Sequence, residues 1–127
     1  MSWFRLSSLI FAFWALWFFC LPGFSNEIAG VGYITSGHAE DWTRLIGLYS
    51  LGFAVLLNEA HGSTSADVRR CVARGVIALA LPGALLMTYW QIIPDRRWFR
   101  LDIINITLLY LVAYGMFTTL RARSARA

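Results

Sequence analysis

Lysine is missing from this chain: all eleven cations are arginine, and seven carboxylates oppose them. Charged residues fill only 14% of the 127 positions, where an ordinary soluble domain carries roughly a quarter. Cysteine is as scarce, with Cys20 and Cys71 standing far apart. No Cys-x-x-Cys exists, which removes a thioredoxin-like redox pair and a zinc knuckle. A lipoprotein box needs a small residue before its cysteine, and Phe19 fills that place. Walker motifs, glycine-rich phosphate loops and a Ser-His-Asp arrangement are lacking too. These absences exclude a disordered chain, a collagen-like repeat, a disulfide-stapled secreted module and a cytosolic enzyme domain. The arginines sit singly or in twos and threes beside apolar blocks, as in membrane proteins, so no nucleic-acid partner is expected. An all-arginine set fits a GC-rich bacterial genome.

What is present is apolar. Hydrophobic residues make up 58% of the chain and aromatics 16%, and the mean hydropathy is +0.59. They fall in four long blocks, each near the ~20 residues that a helix needs to cross a hydrocarbon core about 30 Å thick. The expected spans are about Leu6–Phe24, Trp42–Ala60, Gly75–Ile93 and Ile103–Leu120. Residues 1–127 then form one transmembrane domain, with no room for a second. A rival reading makes span 1 a cleaved signal peptide, with Arg5 before the apolar stretch and Gly23-Phe24-Ser25 as the cleavage site. The stretch is long and bulky for that role, so a retained span is expected.

Arginine counts set the orientation. Arg5, Arg69, Arg70, Arg74, Arg121, Arg123 and Arg126 fall on one side, and Arg44, Arg96, Arg97 and Arg100 on the other. The positive-inside rule then places both termini in the cytoplasm of a bacterial inner membrane. The Ser25–Asp41 connection is expected outside, and the Asp95–Arg100 segment at the interface, with Trp98 and Phe99 among headgroups. Connections shorten from seventeen to fourteen to nine residues, which favours antiparallel neighbours. The fold class is all-α integral membrane: four transmembrane helices in an up-down-up-down bundle. Pro94 ends span 3, and Pro82-Gly83 should kink it. This topology puts Cys20 and Cys71 at opposite faces, as buried free thiols.

Membrane helices associate through small residues and polar side chains, because lipid tails are as apolar as leucine. Span 2 carries such a stripe: Gly47, Ser50, Ala54, Asn58 and His61. Span 3 carries Ala73, Ala80, Ala84, Thr88 and Gln91, and span 4 offers Asn105 for an interhelical hydrogen bond. Spans 2, 3 and 4 are therefore expected to form the packed centre. Span 1 crowds Phe11, Phe13, Trp14, Trp17, Phe18 and Phe19 into nine residues. Either its rings face lipid, or Phe11, Trp14, Trp17 and Phe18 meet a neighbouring subunit or a flat lipophilic molecule: a quinone, carotenoid or chlorin. No bound cofactor is required by any motif.

Chemistry has few candidates. Glu59, Asp67, Asp95 and Asp102 all fall at span ends, where water is close, so they are not the costly buried charges that mark function. Glu59 and His61 are two apart and cannot share a helix face. His61 and the loop residue His38 cannot hold one haem together, and no metal site is expected. A catalytic role has no residues to rest on.

The second span reads Arg44-Leu45-Ile46-Gly47-Leu48-Tyr49-Ser50-Leu51-Gly52-Phe53-Ala54 and follows an early Leu21-Pro22. With four spans, this resembles the small DoxX-like membrane proteins over spans 1 to 3. The resemblance implies a four-span fold and, in some members, redox-complex or quinone-associated roles, with no active-site pattern to transfer. The leading expectation is a non-catalytic accessory subunit of a larger inner-membrane complex, respiratory or photosynthetic, docked through span 1. The alternative is a DoxX-like redox-associated or quinone-binding protein.

Overall fold

A computed structural model describes residues 2–28, 37–92 and 100–124. They form five helices: α1 (Trp3–Cys20), α2 (Pro22–Ile28), α3 (Gly37–Gly62), α4 (Ala66–Ile92) and α5 (Arg100–Ser124). Three of them contain stretches long and apolar enough to cross a membrane: Trp3–Cys20, Ala66–Tyr89 and Ile103–Arg121. This is an all-helical membrane protein. The expected second span, α3, falls short of that combination because Arg44 and Glu59 bracket its apolar run. Pro94, the interfacial Asp95–Phe99 segment, the middle of the Ser25–Asp41 connection and Arg126 lie outside the described residues.

Local chemistry sets the helix ends. Ser2 caps α1, its hydroxyl accepting from the Arg5 N–H at 3.3 Å, which satisfies one of the first orphan donors. The residue before a proline is driven out of the helical region. Leu21, preceding Pro22, accordingly ends α1 at φ −126°, its N–H donating to the Trp17 carbonyl. Pro22 then opens α2 at the position where a missing N–H costs nothing. Ser65 caps α4 by accepting from the Val68 N–H at 3.4 Å. Pro82 lies inside α4, which runs on to Ile92.

α1 packs chiefly on α3, and α4 chiefly on α5. On α1 the buried residues are Phe4, Ser7, Phe11, Trp14 and Ala15. On α3 they are Thr43, Gly47, Ser50, Ala54, Leu57 and Ala60. Steps alternating between three and four residues make a heptad seam, as in left-handed helix pairs. The pairing is intimate at both ends. A Cβ on Gly47 would sit 2.9 Å from the Phe19 backbone nitrogen and 3.1 Å from the Ala15 carbonyl oxygen. Ser8 donates to the Ala54 carbonyl at 2.8 Å. Ser2 Oγ meets His61 Nδ1 at 2.8 Å. The start of α1 thus lies at the end of α3, and the two run in opposite directions.

The expectation that span 1 stands outside the packed centre is corrected here. Phe11 and Trp14 are 3% and 5% exposed, and both belong to one core with Leu57, Val76, Ala80, Val112 and Met116. Its aromatic crowding hid a heptad face, since rings occupy both the inner and the outer positions. Phe13, Leu16 and Phe19 point outward and are exposed. α1 also touches α5, where Gly115 faces the Trp3 indole so closely that a side chain there would overlap it.

Two smaller expectations also change. Asn58 is exposed, and Leu57 and Ala60 take its place on the seam. A heptad seam drifts about 20° per seven residues against a straight helix, so a stripe extrapolated in steps of four leaves it. Cys20 and Cys71 are free, as expected, but exposed rather than buried, because neither falls on its helix's packed face.

Candidate functional site

The core is concentrated where α1 begins and α3 ends: Phe4, Leu57, Ala60, Ala73, Val76, Val112 and Met116 all lie toward that end. Toward the other end both helix pairs border an unfilled space. Between them lies a cavity of about 540 Å³, within the ~300–1,000 Å³ usual for small-molecule sites. Its wall draws on all four long helices: Phe11, Trp14 and Phe18 from α1, Ile46, Tyr49, Ser50 and Phe53 from α3, Leu79 and Met87 from α4, and Asn105 and Leu109 from α5. Ile46, Tyr49 and Leu79 are exposed, so the cavity opens beside the apolar outer surface rather than being sealed.

Among the described residues the wall contains no charged side chain. Its polar groups are few and mostly committed. Ser50 donates to the Ile46 carbonyl at 2.9 Å, which spends its proton within its own helix. Trp14 Nε1 donates to Asn105 Oδ1 at 3.0 Å, tying α1 to α5 across the cavity's inner wall. The rings are fixed as well: Phe11 stands edge-on to Trp14 at 5.2 Å between centroids and packs against Phe53 at 5.4 Å. Offset and edge-on pairs of this kind hold aromatic walls in place. Phe11, Trp14 and Phe53 therefore form a preset surface.

The residues singled out from sequence divide between seam and cavity. Gly47, Ser50, Ala54, Ala80 and Ala84 are buried at helix contacts, and Asn105 is half-buried. Phe11, Trp14 and Phe18 line the cavity. Trp17 does not; it packs with Phe13 and Phe24, each at 5.7 Å. Ile46, Tyr49, Phe53, Leu79, Met87 and Leu109 were missed as site residues. An apolar side chain facing a cavity reads like one facing lipid, and sequence carries no signal to separate them.

Other chemistry is thin. Among the described residues His61 meets Ser2 and no carboxylate, and no group of three metal-ligating side chains exists. Arg44 pairs with Glu40 and Asp41 at 3.2 Å each, at the opposite end of α3 from His61. No protein-family model, curated protein or solved structure matches the chain.

Proposed function

We propose that this chain is a four-span inner-membrane protein that binds one neutral lipophilic molecule in the cavity between its helix pairs. The observation that carries the reading is the cavity itself: ~540 Å³, without a charged side chain among the described residues, and walled by preset aromatic rings. A ligand entering from the bilayer needs no water-filled path, because exposed apolar residues flank the opening. The resemblance to DoxX-like proteins makes a quinone one member of the class, beside other flat ring systems.

In this reading α3 is the fourth span, completing an up-down-up-down bundle. Its support is the partnership with α1: Ser2–His61 at one end and Gly47 against Phe19 at the other make the two helices run side by side over the length of α1. Eighteen residues of α1 rise about 27 Å. The Arg44 pairing with Glu40 and Asp41 offsets part of the negative charge at the head of α3. The contacts of Ser2 with His61 and of Trp3 with Gly115 gather Arg5, Arg69, Arg70 and Arg121 toward one end, which the positive-inside rule assigns to the cytoplasm. Single cysteines at Gly37 and Ser65, in a background freed of Cys20 and Cys71, test this. Gly37 labels from outside intact cells and Ser65 only after permeabilisation; outside labelling of Ser65 overturns the orientation.

The ligand reading is tested by native mass measurement after gentle solubilisation. Wild type is expected to carry a lipophile removable by organic solvent. Leu79→Trp fills the opening from an exposed position, and should lower occupancy about tenfold or more, since overpacking costs about 1–3 kcal/mol. A bare wild-type chain, or equal occupancy in both, overturns it.

The accessory-subunit reading keeps one support. Leu9, Phe13, Leu16 and Phe19 leave α1 with an exposed outer face, through which it could join other membrane subunits. Phe13→Ala should then release the protein from a larger complex while cavity occupancy persists.

A further inference from the structure

Two contacts fix the levels at which the cavity begins and ends. Phe11 packs against Phe53 at 5.4 Å between centroids, so these two wall residues share one level. Gly47 abuts Phe19, which sets their chain neighbours Ile46 and Phe18, also in the wall, at a second level. Seven positions separate Phe11 from Phe18, and Ile46 from Phe53, a rise of about 10 Å along each helix. Leu79 and Met87 on α4 lie eight positions apart, or about 12 Å. The cavity is therefore a slot along the helix axes. Its Phe11–Phe53 end abuts the core. Its flank is open between α3 and α4, where Ile46, Tyr49 and Leu79 are exposed. Trp42 stands four residues before Ile46 and so on the same side of α3. It is exposed one turn beyond the slot, as tryptophans at a membrane–water interface are.

Among the described residues the lining is almost wholly hydrocarbon. Ser50 donates to the Ile46 carbonyl, and Asn105 Oδ1 accepts from Trp14. A polar group pushed into the slot would leave its water and find little in exchange, weakening binding about tenfold or more. We propose that the slot takes the hydrocarbon tail of a membrane amphiphile, entering sideways between α3 and α4. The tip of the tail reaches Phe11 and Phe53, and the polar head stays outside at the level of Trp42. This rests on the cavity being a ligand site, and it adds which part of the molecule occupies it. A phospholipid acyl chain and an isoprenoid tail share that chemistry; a quinone would enter tail first, its ring left at the interface.

The full chain is reconstituted in phosphatidylcholine nanodiscs holding a trace of one photoreactive lipid. The probes are phosphatidylcholines with a diazirine near the end of an acyl chain, the same with a hydroxyl beside that diazirine, or a diazirine in the headgroup, and an isoprenoid lipid with a tail diazirine. Labelled residues are mapped by mass spectrometry and expressed relative to the outward Phe13. The plain tail probe is expected to label Phe53 and Phe11, the latter shielded from bulk lipid. The headgroup probe should spare both, and the hydroxylated tail should label them about tenfold less. Leu79→Trp narrows the opening, and slot labelling should fall about tenfold relative to Phe13. Stronger labelling by the isoprenoid or by the acyl probe names the source, and either supports the proposal. Equal labelling by the plain and hydroxylated tails, or headgroup labelling of Phe11, overturns tail selection and leaves the cavity reading standing. So does a slot that no probe labels while native mass measurement finds another lipophile on the chain. An unlabelled slot on a bare chain overturns both. Should Leu79→Trp lack a cooperative thermal transition, the comparison of probes on wild type decides.

Discussion

Trp14→Ala is expected to destabilise the bundle by about 3 kcal/mol or more, the usual cost of deleting a buried indole. Three losses act together. The ring is 5% exposed and belongs to the shared core, so its removal leaves a void. The edge-on contact with Phe11 disappears. The hydrogen bond to Asn105 is lost, worth about 0.6 kcal/mol by the average for bonds between helices in bilayers. Trp17→Ala, three residues along, should cost only about 1 kcal/mol, because that ring sits outside the core and contributes two aromatic contacts, to Phe13 and Phe24. Thermal unfolding in a mild detergent, followed by circular dichroism, separates the two. Equal transition temperatures for the two variants would remove α1 from the core. The comparison also bears on docking: a partner surface on α1 must use its outer residues, since the inner ones hold the fold together.

Gly47→Leu should part α1 from α3 at its tightest point. The obstacle is backbone, 2.9 Å and 3.1 Å from where the first carbon would stand, and backbone cannot swing aside as a side chain can. Overpacking usually costs about 1–3 kcal/mol, and this site belongs at the upper end. Leu51→Phe is the matched control: Leu51 is on the same helix and 50% exposed, so added bulk meets no neighbour. A thermal shift several times larger for Gly47→Leu is the expected outcome. Similar shifts would mean that the close approach does not hold the pair together.

Periodicity and small-residue spacing were enough to find all four long helices and to pick out Gly47, Ser50 and Ala54 as buried, because tight helix contacts demand narrow side chains. The same logic failed at Asn58, where a seam of period 3.5 had turned away from it. It failed more fully on α1. Gly47 and Ala54 meet the narrow positions of α1, Ala15 and Ser8, but the rings of Phe4, Phe11 and Trp14 share that buried side of the helix. A search for narrow faces alone passes over buried rings that stand beside the small residues. The cavity was invisible for a different reason: it is a space between elements, and its existence depends on how four helices are set against one another, which no local pattern encodes. Asn105 was legible as an interhelical amide, but not its partner, because Trp14 lies ninety-one positions earlier.

That separation has a consequence for how the protein is made. The indole of Trp14 leaves the ribosome long before the amide that will receive its hydrogen bond has been synthesised. At about 5–20 residues per second, roughly five to eighteen seconds pass between the two. During that interval α1 can already zip onto α3, whose matching residues end at His61, and the two form a hairpin with its indole N–H still unmet. The arrival of α5 then closes the assembly, bringing Asn105 to Trp14 and Gly115 under Trp3 in the same movement. Nascent chains halted before residue 105 should therefore hold a paired but unlatched α1 and α3, open to insertase or chaperone, and the protein acquires its cavity only once α5 has joined them.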